Sequence, residues 1–94
     1  MHTRVVRFTG VTPERINELK ARIEGGGGPP EGVKTSGIEI VFDEAQGTAV
    51  VLQRYETAAD MEEAARIFEA MDAGETPGSR TSVDSGEVVL ALSV

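Results

Sequence analysis

Apolar and polar positions alternate with two distinct periods along this chain, and the switches between them mark six elements. Residues 3–10, TRVVRFTG, are rich in β-branched and aromatic side chains with charges spaced between them, and the run ends on a glycine, which predicts a strand. Residues 11–25 change to a helical period. Thr12 is placed to cap, Pro13 takes the first helical position, Glu14 favours the positive end of the helix dipole, and Ile16, Leu19 and Ile23 share one face. Gly25 stops that helix, and the prolines beyond it cannot continue the turn.

Two extended runs follow, about 33–42 and 48–55, joined by the polar connection DEAQG, and their closeness in sequence predicts a hairpin. A second helix begins near Thr57 or Asp60, either of which can cap it, with Asp60 and Glu63 at capping-box spacing. Met61, Ala64, Ala65, Phe68 and Met71 form its apolar stripe, and Gly74 and Pro77 end it. The last apolar run, 87–92, reads as a strong strand. VDSG before it is a bulge or bend in one long strand starting near Ser79, or a loop.

The order strand, helix, strand, strand, helix, strand predicts an α+β, ferredoxin-like βαββαβ domain over residues 1–94, with a four-stranded antiparallel sheet and both helices on one face. The alternation also fails in an informative direction. In the third strand Val50 and Leu52 point one way and Ala49, Val51 and Tyr55 the other; in the last, Val88, Leu90 and Leu92 oppose Val89 and Ala91. Both faces read as buried, and two helices cover only one. A second copy of the chain is the simplest cover for the other, in an isologous homodimer.

Composition narrows the partners. Sixteen acidic against nine basic residues give a formal charge of −7, and the basic residues are scattered, so nucleic acid and anionic membrane are poor partners. The absence of cysteine removes disulfides and thiol chemistry, and no apolar run is long enough to span a bilayer. MHTRVVRFTG lacks the apolar centre of a signal peptide, so a cytoplasmic location is expected.

The order of elements, the TGVTPE turn into a short first helix and the ending EAMDAGETPGSRTSVDSGEVVL resemble small bacterial proteins of the dimeric α+β barrel superfamily, which includes antibiotic-biosynthesis-monooxygenase-like domains. That resemblance implies a barrel formed by two sheets and a pocket between the sheet and helices of each subunit. It also implies a small-molecule-binding protein, extending to a cofactor-free monooxygenase-like enzyme acting on an apolar or aromatic metabolite. A non-catalytic dimeric module, ligand-sensing or structural, is the alternative.

The residues themselves specify no catalytic constellation. Cofactor-free monooxygenases and haem-degrading enzymes of that superfamily typically use a pocket Trp with Asn, His or Tyr. Here there is no Trp, the only His is His2 and the only Asn is Asn17 on a helix. No cofactor and no metal is expected: a lone terminal His is ordinarily solvated, and the acidic pairs Asp43–Glu44 and Glu62–Glu63 fall in a turn and a helix start, where charge is solvated. The candidate pocket residues are Tyr55, Arg7, Gln53, Arg54, Phe68 and Met71. The phenol could donate to an oxyanion, an inward polar group could orient an anionic or carbonyl-bearing ligand, and Phe68 and Met71 could line an apolar wall. Gln53 and Arg54 are adjacent, so they cannot share a face.

Two glycine-bearing stretches invite a phosphate-binding reading. In EGGGGPPEGVKT, Val33 separates Gly32 from Lys34 and the loop leaves a helix to open a strand, the reverse of a phosphate loop. It reads as a crossover and a candidate lid. ETPGSRTS, with Arg80, has no helix start after it and reads as a loop.

Overall fold

A computed structural model describes residues 1–26, 32–70 and 77–93. The elements run β1 (His2–Thr9), α1 (Pro13–Gly25), β2 (Gly37–Asp43), β3 (Thr48–Tyr55), α2 (Ala58–Glu69) and β4 (Ser79–Glu87). All three strand pairings are antiparallel and the sheet order is β2-β3-β1-β4, which is the ferredoxin-like arrangement.

Local signals set most of the boundaries. The Thr12 hydroxyl accepts from the Arg15 amide at 3.2 Å and Pro13 opens α1; the Thr57 hydroxyl accepts from the Asp60 amide at 3.1 Å and opens α2. Thr57 is therefore the cap, and Asp60 lies inside the first turn. In the β2–β3 turn Asp43 accepts from the Gln46 amide at 3.2 Å, and Gly47, at φ +65°, turns the chain into β3.

β2 starts four residues later than the apolar run suggests. Before Gly37 the Ser36 amide donates to the Arg54 carbonyl at 2.8 Å, and the Thr35 hydroxyl joins it on that oxygen at 2.6 Å while accepting from the Gly37 amide at 3.2 Å, so a side chain shares the last ladder acceptor. α2 ends at Glu69. Met71 and Gly74, expected in its last turns, lie outside the described residues, as do 27–31 of the glycine-rich crossover.

The largest departure concerns β4. The strand is the polar stretch Ser79–Glu87, and the apolar residues 88–93 lie beyond the sheet. Pairing to β1 decides this. Glu87 stands opposite His2 and the Val88 amide donates to the Met1 carbonyl at 2.9 Å, after which β1 offers no partner. Every residue of β4 is exposed, so its polar composition suits an edge strand and says little against pairing. The irregularity is also elsewhere than VDSG. The register shifts between Arg7 and Phe8, which face Ser82 and Arg80 and leave Thr81 unmatched, a bulge at the start of the strand.

The core lies between the sheet and the helices. Val6, Phe8, Val11, Ala49 and Val51 form its apolar part, with Ile16, Ile38, Ile40 and Phe42 packed against them. Tyr55, Met61 and Ala64 form a second part with Val33 and Phe68. α2 buries Met61 and Ala64, whereas α1 buries no residue fully. On the opposite face Val5, Val50 and Leu52 are half-buried and Val41 is exposed. Within the single chain Val89, Leu90 and Leu92, expected as part of the last strand, lie outside the sheet and are largely exposed.

Candidate functional site

Strand alternation sorts the polar residues of the sheet into two groups. In β1, Arg4 shares a face with Val6 and Phe8, and in β3, Gln53 and Tyr55 share one with Ala49 and Val51. Arg4 stands directly opposite Gln53 and Val6 opposite Val51, so the seven side chains sit on the helix-facing side. Arg4 is 3% exposed, Gln53 5% and Tyr55 fully buried.

These groups bond to one another. Gln53 Oε1 accepts from Arg4 Nη1 at 3.1 Å and from the Tyr55 hydroxyl at 3.1 Å. The Arg4 guanidinium lies 5.3 Å from the centre of the Phe68 ring on α2, a cation–π arrangement. Its second nitrogen, Nη2, is 3.7 Å from Oε1 of Glu69, well beyond the roughly 2.7–2.9 Å of a charge-assisted hydrogen bond. Glu69 is instead gripped by Arg80, whose two guanidinium nitrogens meet its two carboxylate oxygens, Nη2 to Oε2 at 3.1 Å. Two arginines thus converge on one carboxylate at the end of α2.

Burial drives the electrostatics. Desolvation pulls the Arg4 pKa below its ordinary value, with Tyr55 and Glu69 raising it and Arg80 lowering it further. Desolvation pushes the Tyr55 phenol up, with Arg4 opposing. The Arg80 hydrogen bond lowers Glu69, and the same contact raises Arg80. Tyr55 is therefore held as the neutral phenol and Glu69 as the carboxylate near neutral pH.

Of the candidate residues read from the sequence, Tyr55, Gln53 and Phe68 meet in this cluster. Arg7 is exposed on the opposite face, and Arg54 lies on that face too, paired with Glu39 at 3.2 Å. Met71 lies outside the described residues. Arg4 and Glu69 complete the cluster and were not singled out in the sequence. Phe8 held the signal for Arg4: Val5 and Val6 leave the parity of β1 ambiguous, and a phenylalanine two positions on from Val6 puts positions 4, 6 and 8 inward.

Among the described residues no three His, Asp or Glu side chains gather as a metal site. Every fully buried side-chain nitrogen and oxygen in them has a hydrogen-bond partner. No helix among them is long and apolar enough to cross a membrane. Compared with known proteins, the chain matches no family model and no curated sequence.

Proposed function

We propose that this chain is a cytoplasmic, homodimeric small-molecule-binding protein, and that the cluster of Arg4, Gln53, Tyr55 and Phe68 receives a small apolar or aromatic compound bearing a carboxylate or carbonyl oxygen. One observation carries the reading: a guanidinium 3% exposed has its carboxylate partner 3.7 Å away and half in solvent, already claimed by a second arginine. A buried cation whose carboxylate stands 3.7 Å away and is shared with Arg80 is incompletely compensated, so an incoming carboxylate gains more here than at an exposed arginine. Phe68 supplies a flat apolar wall beside the charge, and the Tyr55 hydroxyl, which here donates to Gln53 Oε1, becomes a neutral donor to a ligand by turning from that oxygen.

This is a binding reading. The monooxygenase-like chemistry of the barrel superfamily the sequence resembles draws on a Trp with Asn, His or Tyr, and of these the cluster holds only Tyr55. If turnover accompanies binding, Tyr55 is the group able to pass a proton to an oxyanion. The dimer is supported by the outer face of the sheet, where Val5, Val41, Val50 and Leu52 stand without cover from either helix.

Thermal-shift measurements against a panel of aromatic and aliphatic carboxylates and hydroxyarenes test the ligand reading. A concentration-dependent rise in Tm for an aromatic carboxylate, absent in Arg4→Met, is the expected outcome. A second reading, a module whose only role is self-association, is favoured by the complete satisfaction of the buried polar atoms among the described residues. A dimer without any ligand-dependent shift across the panel supports it and removes the first.

A further inference from the structure

Residues 88–93 form the most exposed apolar stretch described. Val89 is 91% exposed, Leu90 73% and Leu92 78%, although their composition is that of a strand interior. The last ladder contact of their own sheet is the Val88 amide on the Met1 carbonyl, and the β1–β4 register leaves nothing of β1 opposite position 89 onward. The tail therefore leaves the ladder after Val88. Val88, Leu90 and Leu92 alternate with Val89 and Ala91, so an extended tail has two apolar sides.

The same chain leaves a second apolar surface open, the outer face with Val5, Val41, Val50 and Leu52. We infer that the two belong together across copies: the tail of one protomer packs its leucines on the outer sheet face of a second, which returns the contact. This rests on the dimer reading above and adds to it the segment that secures the pair. The arrangement is self-complementary, as a closed two-fold contact requires.

Area supports the assignment. Strands of 8 residues at about 3.3 Å per residue, four abreast at about 4.8 Å, present roughly 500 Å² of nominal face. A stable dimer buries about 800 Å² per partner. The nominal face is a flat projection whose side chains expose more accessible surface than that footprint, and Val89, Leu90, Ala91 and Leu92, on a tail that reaches about 20 Å when extended, add apolar surface to the same contact. They also turn an aggregation-prone strand into buried interface.

Two variants test this by sedimentation and fluorescence. Leu90→Asp/Leu92→Asp alters side chains that the single chain leaves in solvent, so circular dichroism should be unchanged while the dimer dissociation constant rises at least tenfold. Leu92→Trp places the chain's only indole on the tail, and its emission should move to shorter wavelength as dilute monomer is concentrated into dimer. A wild-type chain that stays monomeric at micromolar concentration overturns the dimer reading and the tail assignment with it. A wild-type dimer that the double aspartate variant matches in affinity, or an indole that keeps its water-exposed emission in the dimer, leaves the dimer standing and overturns the tail.

Discussion

The two ends of the core are built on the same strands and differ in what they bury. Around Phe8, Val6, Ala49 and Val51 the cross-strand neighbours are apolar except for Arg80, opposite Phe8 on the exposed edge strand; two residues further along β1 and β3, Arg4 faces Gln53 and Tyr55 closes the row. The first end needs only shape and hydrophobicity, which tolerate exchange among residues of similar volume. The second holds a charge, an amide and a phenol that satisfy one another around a single oxygen, Gln53 Oε1. A domain this small gains nothing obvious in stability from such a substitution of polar for apolar groups, which is the reason to look for function there.

The comparison can be broken most forcefully at the apolar end. Phe8→Ala removes a ring 6% exposed and should cost about 3–5 kcal/mol, a large share of the stability of a small domain, read from the urea midpoint. At the polar end, Gln53→Leu leaves Arg4 and Tyr55 without their shared acceptor and should cost about 1–3 kcal/mol. Adding Arg4→Met and Tyr55→Phe should recover much of that loss, because an apolar replacement of the whole network removes the unmet groups. A silent Gln53→Leu would mean that the polar end is no network at all.

Tyr55→Phe should cost about 0.5–1.5 kcal/mol near neutral pH and also changes the alkaline limb. The folded phenol has a raised pKa, so its contribution is whole below the ordinary value of 10.0 and is lost as pH rises through the folded value. Between pH 10.0 and that folded value, stability from denaturant melts should fall more steeply for the wild type than for the phenylalanine variant. The smallest effect is expected at Glu69. Its pKa is lowered chiefly by the Arg80 hydrogen bond, so whatever stability it lends is present above the ordinary 4.5 and disappears as pH falls through the folded value. Glu69→Gln should flatten that acid limb and change little at pH 7.

The unequal legibility of these regions has a physical cause. The elements, the hairpin and the caps follow from periods and turn residues that act within a few positions, and Thr12, Thr57 and Gly47 behave as local rules require. Pairing is not local. β4 is a strand because β1 accepts it, so its polar sequence left the stretch from Ser79 open between strand and loop, while the apolar 87–92 read as the strong strand although the ladder ends at Glu87. Arg4 was hidden for the same reason, since its inward direction depends on which of two adjacent valines faces the core. Tyr55, Gln53 and Phe68 were legible as chemistry, but that Gln53 joins a phenol to an arginine becomes visible only in register.

The sharpest test of the claim that the polar end is a recognition site is a titration of the isotopically labelled protein with benzoate, following backbone amides and the arginine side chains. Saturable shifts should centre on Arg4, Gln53, Tyr55 and Phe68, leave Phe8 and Ala49 unmoved, and vanish in Arg4→Met. Shifts that are absent, fail to saturate, or persist unchanged in Arg4→Met would contradict it.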